Sequence, residues 1–101
     1  MEGFDQSFEE RKKVEETRIG TVTQFFSRPM VAAIAIEEGR LAVGEAVHFL
    51  GSTTDLYHRV DSMQIDHISI PEAGAGDVIG VRVSARVREH DKVFRVEEAR
   101  P

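Results

Sequence analysis

The sequence predicts an all-β fold, a six-stranded antiparallel closed β-barrel preceded by a short N-terminal helical or disordered arm. Three observations carry this reading. From Arg18 onward, short runs rich in Val, Ile, Thr and Phe are separated by Gly, Pro, Ser and Asp, the punctuation of strands and turns. No helix-period stretch lies between those runs, which argues against a parallel βαβ sheet. Six short strands also leave exposed edges, and closure removes them.

The elements follow in order. Met1 to Glu16 carries six acids and three bases and few apolar residues. Within it, Ser7-Phe8-Glu9-Glu10 fits a capping box, and Glu9 and Lys13 form a favourable pair four residues apart. A helix this short is marginal without docking, and Phe4 and Phe8 are placed to staple it to the barrel. Residues 1–17 are therefore read as a charged arm, 18–97 as the barrel and 98–101 as a tail.

Strand one is expected over Arg18 to Phe26, and Ser27-Arg28-Pro29 breaks it because proline removes a ladder donor. Met30 to Ile36 is strand two, with Ile34 and Ile36 facing the core and Ala33 and Ala35 allowing close packing on the other face. Glu37-Glu38-Gly39 turns. Ala46 to Leu50 is strand three, and Gly51 to Asp55 is a loop of turn formers. Leu56 to Ile70 is a longer run whose alternation slips near Asp61-Ser62, where a bulge or bend is expected. Val78 to Val87 is strand five. It sets Ile79, Val81, Val83, Ala85 and Val87 on one face and Gly80, Arg82, Ser84, Arg86 and Arg88 on the other. Lys92 to Val96 closes the barrel.

Composition bounds the function. A chain of 101 residues is one domain. The longest apolar run, Met30 to Ile36, has seven residues, far short of the ~20 that span a bilayer. The N-terminus lacks the layout of a signal peptide, so the expected compartment is the cytoplasm. The absence of cysteine excludes disulfides and thiolate chemistry. A net charge of −5 means that any nucleic-acid contact must be local, against an unfavourable overall field.

No catalytic site is readable. His48, His58, His67 and His90 have no metal-ligand spacing and read as four unconnected histidines, although His48 and His58 fall where adjacent strands would bring them together. The paired acids Glu37-Glu38, Glu97-Glu98 and Glu89/Asp91 sit at turns and termini, positions that usually leave both carboxylates solvated, so catalysis by them is not expected. No phosphate loop is present, so GTP binding by this chain alone is not expected, nor is any cofactor or metal.

Two surfaces are candidates for binding. Arg82, Arg86 and Arg88 share one face of strand five, with Lys92 and Arg95 following, an array suited to phosphate or carboxylate. The plain reading of the same residues is the solvated outer face of a strand. The second surface is Phe25-Phe26-Ser27-Arg28-Pro29-Met30. Adjacent strand residues point oppositely, so Phe25 and Phe26 cannot both face the core. One is exposed, covered by the arm, or placed on a partner.

Ordered motifs add a resemblance. Gly20-Thr21-Val22, Leu41-Ala42-Val43-Gly44-Glu45, Gly51, Val60-Asp61-Ser62-Met63-Gln64, Ala73 to Asp77 and Gly80 resemble the second domain of translational GTPases such as elongation factor Tu. Ile19 to Ser27, Gly51-Ser52-Thr53-Thr54-Asp55, Ser62 to Ile65 and Val87 to Val93 resemble more closely two related groups. One is the small proteins called translation elongation factor-like, and the other is the C-terminal barrel of collagenase-like peptidases. His90 stands where that pattern has glycine, and histidine tolerates the left-handed region better than β-branched residues do.

The resemblance implies a non-catalytic binding module that engages RNA or a ribonucleoprotein through Arg82, Arg86 and Arg88. The alternative is a protein-interaction module acting with a collagenase-like peptidase through Phe25, Phe26, Arg28 and Met30. Neither involves a membrane.

Overall fold

The computed structural model describes residues 14–98. These form ten strands and, among the described residues, no helix. The strands are β1 (Val14–Ser27), β2 (Met30–Ile36), β3 (Arg40–Ala42), β4 (Ala46–Leu50), β5 (Asp55–Arg59), β6 (Met63–Ile65), β7 (Ile68–Ile70), β8 (Glu72–Gly74), β9 (Val78–Arg82) and β10 (Lys92–Glu98). Eight make one antiparallel sheet in the order β5-β4-β10-β1-β2-β9-β6-β7, and β3 pairs with β8 as a separate ribbon. The core is continuous and includes Val22, Ile34, Leu41, Phe49, Val60, Met63, Ile79, Val81, Val87 and Val93, all buried.

The all-β class is as expected, but the closed six-stranded barrel is not what forms. The large sheet has eight strands and ends on β5 and β7, which do not pair. The reason lies in the run from Leu56 to Ile70, which yields three strands. At the first break, Val60 donates its N–H to Glu45 and accepts from Gly44. The backbone that would have carried β5 on toward β6 is thus committed to the β3–β4 turn. The break falls at Val60 to Ser62, where the alternation slips. The second break is a two-residue hairpin turn at Asp66 and His67, both at positive φ, 51° and 66°, the signature of a type I′ turn.

β1 begins at Val14, four residues before the strand start expected from the apolar pattern. Its polar first turn of sequence, Val14 to Thr17, pairs with Arg95 to Glu98 of β10, so ladder bonding sets conformation where propensity does not. The Ser7–Glu10 capping box and the staple residues Phe4 and Phe8 lie outside the described residues. β1 serves two partners, β10 and β2, and carries register shifts at Arg18/Gly20 and Val22/Gln24. Such bulges bend a strand and raise its twist. Gly20 sits at the first, where an added Cβ would overlap the carbonyl oxygen of Ala35, so the close β1–β2 approach requires glycine.

β9 also ends earlier than its alternation suggests, at Arg82. Its neighbour β2 starts at Met30, and the last bond between them runs from Val83 N–H to Met30 C=O. Beyond this β9 has no ladder partner. Val83 and Val87 still reach the core, while Ala85 is exposed. The chain returns through a turn at Arg88–Asp91. His90 occupies it at φ 76°, the left-handed conformation expected where the motif has glycine. Asp91 closes the turn by accepting from the Arg88 N–H at 2.8 Å.

Candidate functional site

The β1–β2–β9–β6 part of the sheet builds a cleft on the side away from the core. Register aligns Phe26, Val31 and Arg82 in one row across β1, β2 and β9, and aligns Gln24, Ala33, Gly80 and Gln64 in the next. Residues in one row point to one face. The floor is therefore made of the small residues Ala33 and Gly80, with Val31 beside them. Phe26 and the β1–β2 turn, with Arg28 and Pro29, form one wall, and the Asp66-His67 turn forms the other. The cleft holds roughly 560 Å³, within the ~300–1,000 Å³ of ordinary ligand pockets. A shallower hollow beyond Pro29 and Gly80 brings in Ser62 and Arg82. Phe26 and Met30 are 46% and 37% exposed.

The structure therefore joins part of each predicted surface. From the aromatic segment it supplies Phe26 and Arg28; from the cationic set it supplies Arg82. Met30, next to Val31 on β2, falls on the opposite face by alternation and does not line the cleft. Phe25 faces the other way, packs on the edge of the core, and is covered by Arg86, whose guanidinium lies 5.8 Å from the ring centroid. Of the two adjacent aromatics, one is thus half-buried and one exposed.

The single cationic face is corrected. Arg82 ends β9, whereas Arg86 and Arg88 lie in the irregular segment after it. Lys92 and Arg95 are on β10, which β1 and β2 separate from β9, a spacing of about 14 Å at ~4.8 Å per strand. Arg95 is half-buried, donates to the Arg40 carbonyl at 2.8 Å and lies 3.4 Å from Glu97. It is a structural residue with little left to offer a ligand.

A second cluster escaped the sequence reading, which took His48 as unconnected. His48 on β4 is buried on the outer face, stacked on Tyr57 at 4.0 Å with an 11° interplanar angle and flanked by Phe94. Its Nδ1 lies 2.7 Å from Glu16 Oε1 and its Nε2 2.6 Å from Asp55 Oδ1. The Tyr57 hydroxyl donates to the other Glu16 oxygen at 2.7 Å. Glu16 thus reaches across β10 from the start of β1 to β4 and β5.

Hydrogen bonds from His48 and then Tyr57 hold the Glu16 carboxyl below its usual range. Burial works against charging His48, but hydrogen bonds and charge from Glu16 and Asp55 outweigh it, so its pKa rises. Tyr57 is raised by its bond to Glu16. His58 lies on the strand adjacent to His48, as anticipated, but opposite Val47. Among the described residues no group of three or more His, Cys, Asp or Glu is placed to hold a metal ion. No helix among them is long and apolar enough to cross a membrane.

The cleft and the fold define an all-β module with an open outer face, and comparison with known proteins shows where such a module occurs. The chain is 33% identical over 87 residues to an uncharacterized protease of Methanocaldococcus jannaschii, an alignment that takes in 85% of this chain and 21% of the protease. It is 29% identical over 85 residues to a collagenase of Porphyromonas gingivalis, taking in 83% of this chain and 24% of the collagenase. The chain therefore spans about a fifth to a quarter of the length of these curated relatives.

Among solved structures, the C-terminal domain of a Geobacillus thermoleovorans candidate U32 peptidase superposes with a TM-score of 0.71 at 12% identity, over 79% of this chain and 91% of that domain. At that identity the match speaks for the fold. No protein-family model matches the chain. Homologues of this chain are thus collagenase-like proteins, which supports that side of the resemblance. None of these relatives is described as an RNA-binding or translation protein.

Proposed function

We propose that this chain is a non-catalytic binding module that works with a collagenase-like peptidase, and that the cleft between the β1–β2 turn and the Asp66-His67 turn is where the two meet. The observation that carries this reading is the extent of the match: 85% of this chain aligns with 21% of a protease. The similarity is that of one unit within a larger enzyme. The cleft has the character of a recessed interface core, with a small-residue floor and an exposed aromatic at its lip, a residue type enriched at protein contacts.

The RNA reading has weaker support. Its five cations do not form one surface, and the overall charge is −5.

The test is affinity capture of the tagged chain from native lysate, with and without ribonuclease. A collagenase-like peptidase that co-purifies with wild type despite ribonuclease, and is lost with Ala33→Trp, supports the reading. Recovery of RNA or ribosomal proteins that ribonuclease and moderate salt abolish, with no peptidase, refutes it.

A further inference from the structure

We infer that the cleft takes an extended peptide segment in which a bulky apolar side chain lies next to a carboxylate, the carboxylate meeting Arg28 and Arg82 and the apolar group seating on Ala33 and Gly80. The inference deepens the module reading and rests on it only for the identity of the partner.

The cleft is polarised along its length. Arg28 and Arg82 stand at the β1–β2 turn end, and Asp66 and His67 stand at the other. Of the other exposed arginines in the described residues, Arg18 lies near Glu37, Arg40 pairs with Glu72, Arg59 donates to the Gly44 carbonyl and Arg86 covers the Phe25 ring, while Arg88 has no carboxylate partner among those residues. Neither Arg28 nor Arg82 has a carboxylate partner among the described residues, although acids outnumber bases 18 to 13 in the chain. Two such guanidinium groups beside an apolar hollow are complementary to a carboxylate-bearing segment.

The floor sets what fits between the two ends. A side chain at position 80 would stand against Val31, since an added Cβ there lies 3.4 Å from Val31 Cγ1. Glycine keeps the hollow open. From the row of Arg82 to that of Val78 the strand runs four residues, about 13 Å at ~3.3 Å per residue. This is the span of four or so residues of extended peptide. The acidic end also argues for a segment of mixed charge over a polyanion. A nucleic-acid strand laid along the cleft would bring phosphates against Asp66.

The test uses the full chain and fluorescence anisotropy with three probes. These are a short labelled peptide with one phenylalanine followed by two glutamates, the same peptide with lysines in place of the glutamates, and a short oligouridylate. Wild type is expected to bind the acidic peptide at least tenfold more tightly than the basic one and than the oligouridylate. Arg28→Glu and Arg82→Glu should each weaken acidic-peptide binding about tenfold, the scale of losing one charge-assisted contact. Ala33→Trp should abolish it, and Lys92→Glu on distant β10 should leave it unchanged. Thermal melts of each variant verify that the substitutions leave the fold intact.

Equal or tighter binding of the basic peptide or the oligouridylate overturns the inference, as does a wild-type affinity for the acidic peptide that Arg28→Glu/Arg82→Glu does not change. The lysate capture separates this failure from that of the module reading. If the double arginine variant still captures the peptidase while Ala33→Trp does not, the charge argument falls and the module stands. If wild type captures no peptidase, the module reading falls and the peptide titration alone judges the cleft.

Discussion

His48→Phe is the substitution whose consequences can be worked furthest from the structure. Phenylalanine keeps the stacking on Tyr57 and removes both imidazole hydrogen bonds, to Glu16 at 2.7 Å and to Asp55 at 2.6 Å. A hydrogen bond to a charged group contributes roughly 1.5–3 kcal/mol. Asp55 is largely exposed, which reduces its share to ~1 kcal/mol or less. A total loss of about 2–3 kcal/mol follows, and a domain of this size loses ~4–8 °C in melting temperature per kcal/mol.

The pH dependence carries the sharper test. His48 binds its proton more tightly folded than unfolded. The part of its contribution that depends on the proton is therefore complete below the unfolded value near 6.5 and disappears as pH rises through the higher folded value. Glu16 is the reverse: its lowered carboxyl contributes above the unfolded value near 4.5 and loses that contribution as pH falls through the folded one. Both contribute fully between about pH 4.5 and 6.5.

Charge-assisted bonds are roughly twice as strong as neutral ones, so deprotonating His48 should forfeit about half of its contribution, ~1 kcal/mol or ~4–8 °C. Circular dichroism melts of wild type and His48→Phe at mildly acidic and alkaline pH check this. The gap between the two proteins should narrow by that amount as pH rises. Titrating groups that do not touch His48 are common to both proteins and cancel in the difference. A gap that stays constant across the pH range would refute the assignment of a protonated His48 held by two carboxylates.

Other expected outcomes concern packing and backbone. Gly20→Ala should destabilise by about 2 kcal/mol or more, because the new methyl meets the Ala35 carbonyl and the strand pair must separate; denaturant unfolding measures it. His90→Gly should stabilise by roughly 0.5–1 kcal/mol, since the ~1–2 kcal/mol cost of a left-handed residue exceeds the added chain entropy of glycine; a rise in urea midpoint is the readout. Phe49→Ala, at a fully buried site on β4, should cost about 3–5 kcal/mol, visible in the same assay. Phe26→Ser, at the exposed lip of the cleft, should change stability by less than about 0.5 kcal/mol yet weaken peptidase capture.

Much of the fold was legible from residue pattern. β2 and β4 fall where apolar alternation puts them, and His90 adopts the left-handed conformation its place in the motif requires. What was not legible depended on partners. The end of β9 is set by where β2 runs out, although the Val81-Val83-Val87 periodicity continues past it. The hairpin at Asp66-His67 carries no glycine, so the strongest sequence signal for a tight I′ turn was missing, and Leu56 to Ile70 read as one run.

The candidate site was legible in fragments. Phe26, Arg28 and Arg82 were each noticed, but on two separate surfaces. Only the Phe26–Val31–Arg82 register shows that they are neighbours. The His48 cluster was out of reach because Glu16 is 32 residues away in sequence and joins through a strand that polar composition concealed. Its one available hint was an outward-facing histidine between the core residues Val47 and Phe49.

The two outer faces of the sheet differ in a way that folding alone does not require. On the β1–β10–β4–β5 side, the groups that point away from the core cover one another. Tyr57 stacks on His48, Phe94 lies beside it, and Glu16 and Asp55 satisfy its nitrogens. On the β1–β2–β9–β6 side Phe26, Val31, Ala33, Val78 and Gly80 point outward beside Gln24, Gln64 and Arg82, and Phe26 and Val78 are 46% and 55% exposed. An outward strand position facing water normally takes a polar residue, and nothing in the core depends on these side chains. Scattered exposed apolar residues are ordinary. A contiguous set around a hollow floor, with two arginines at one end that have no carboxylate partner among the described residues, is the pattern of a surface that something else completes. One face is self-covered and one is left open, and it is the open face that the sequence fills with residues suited to a partner.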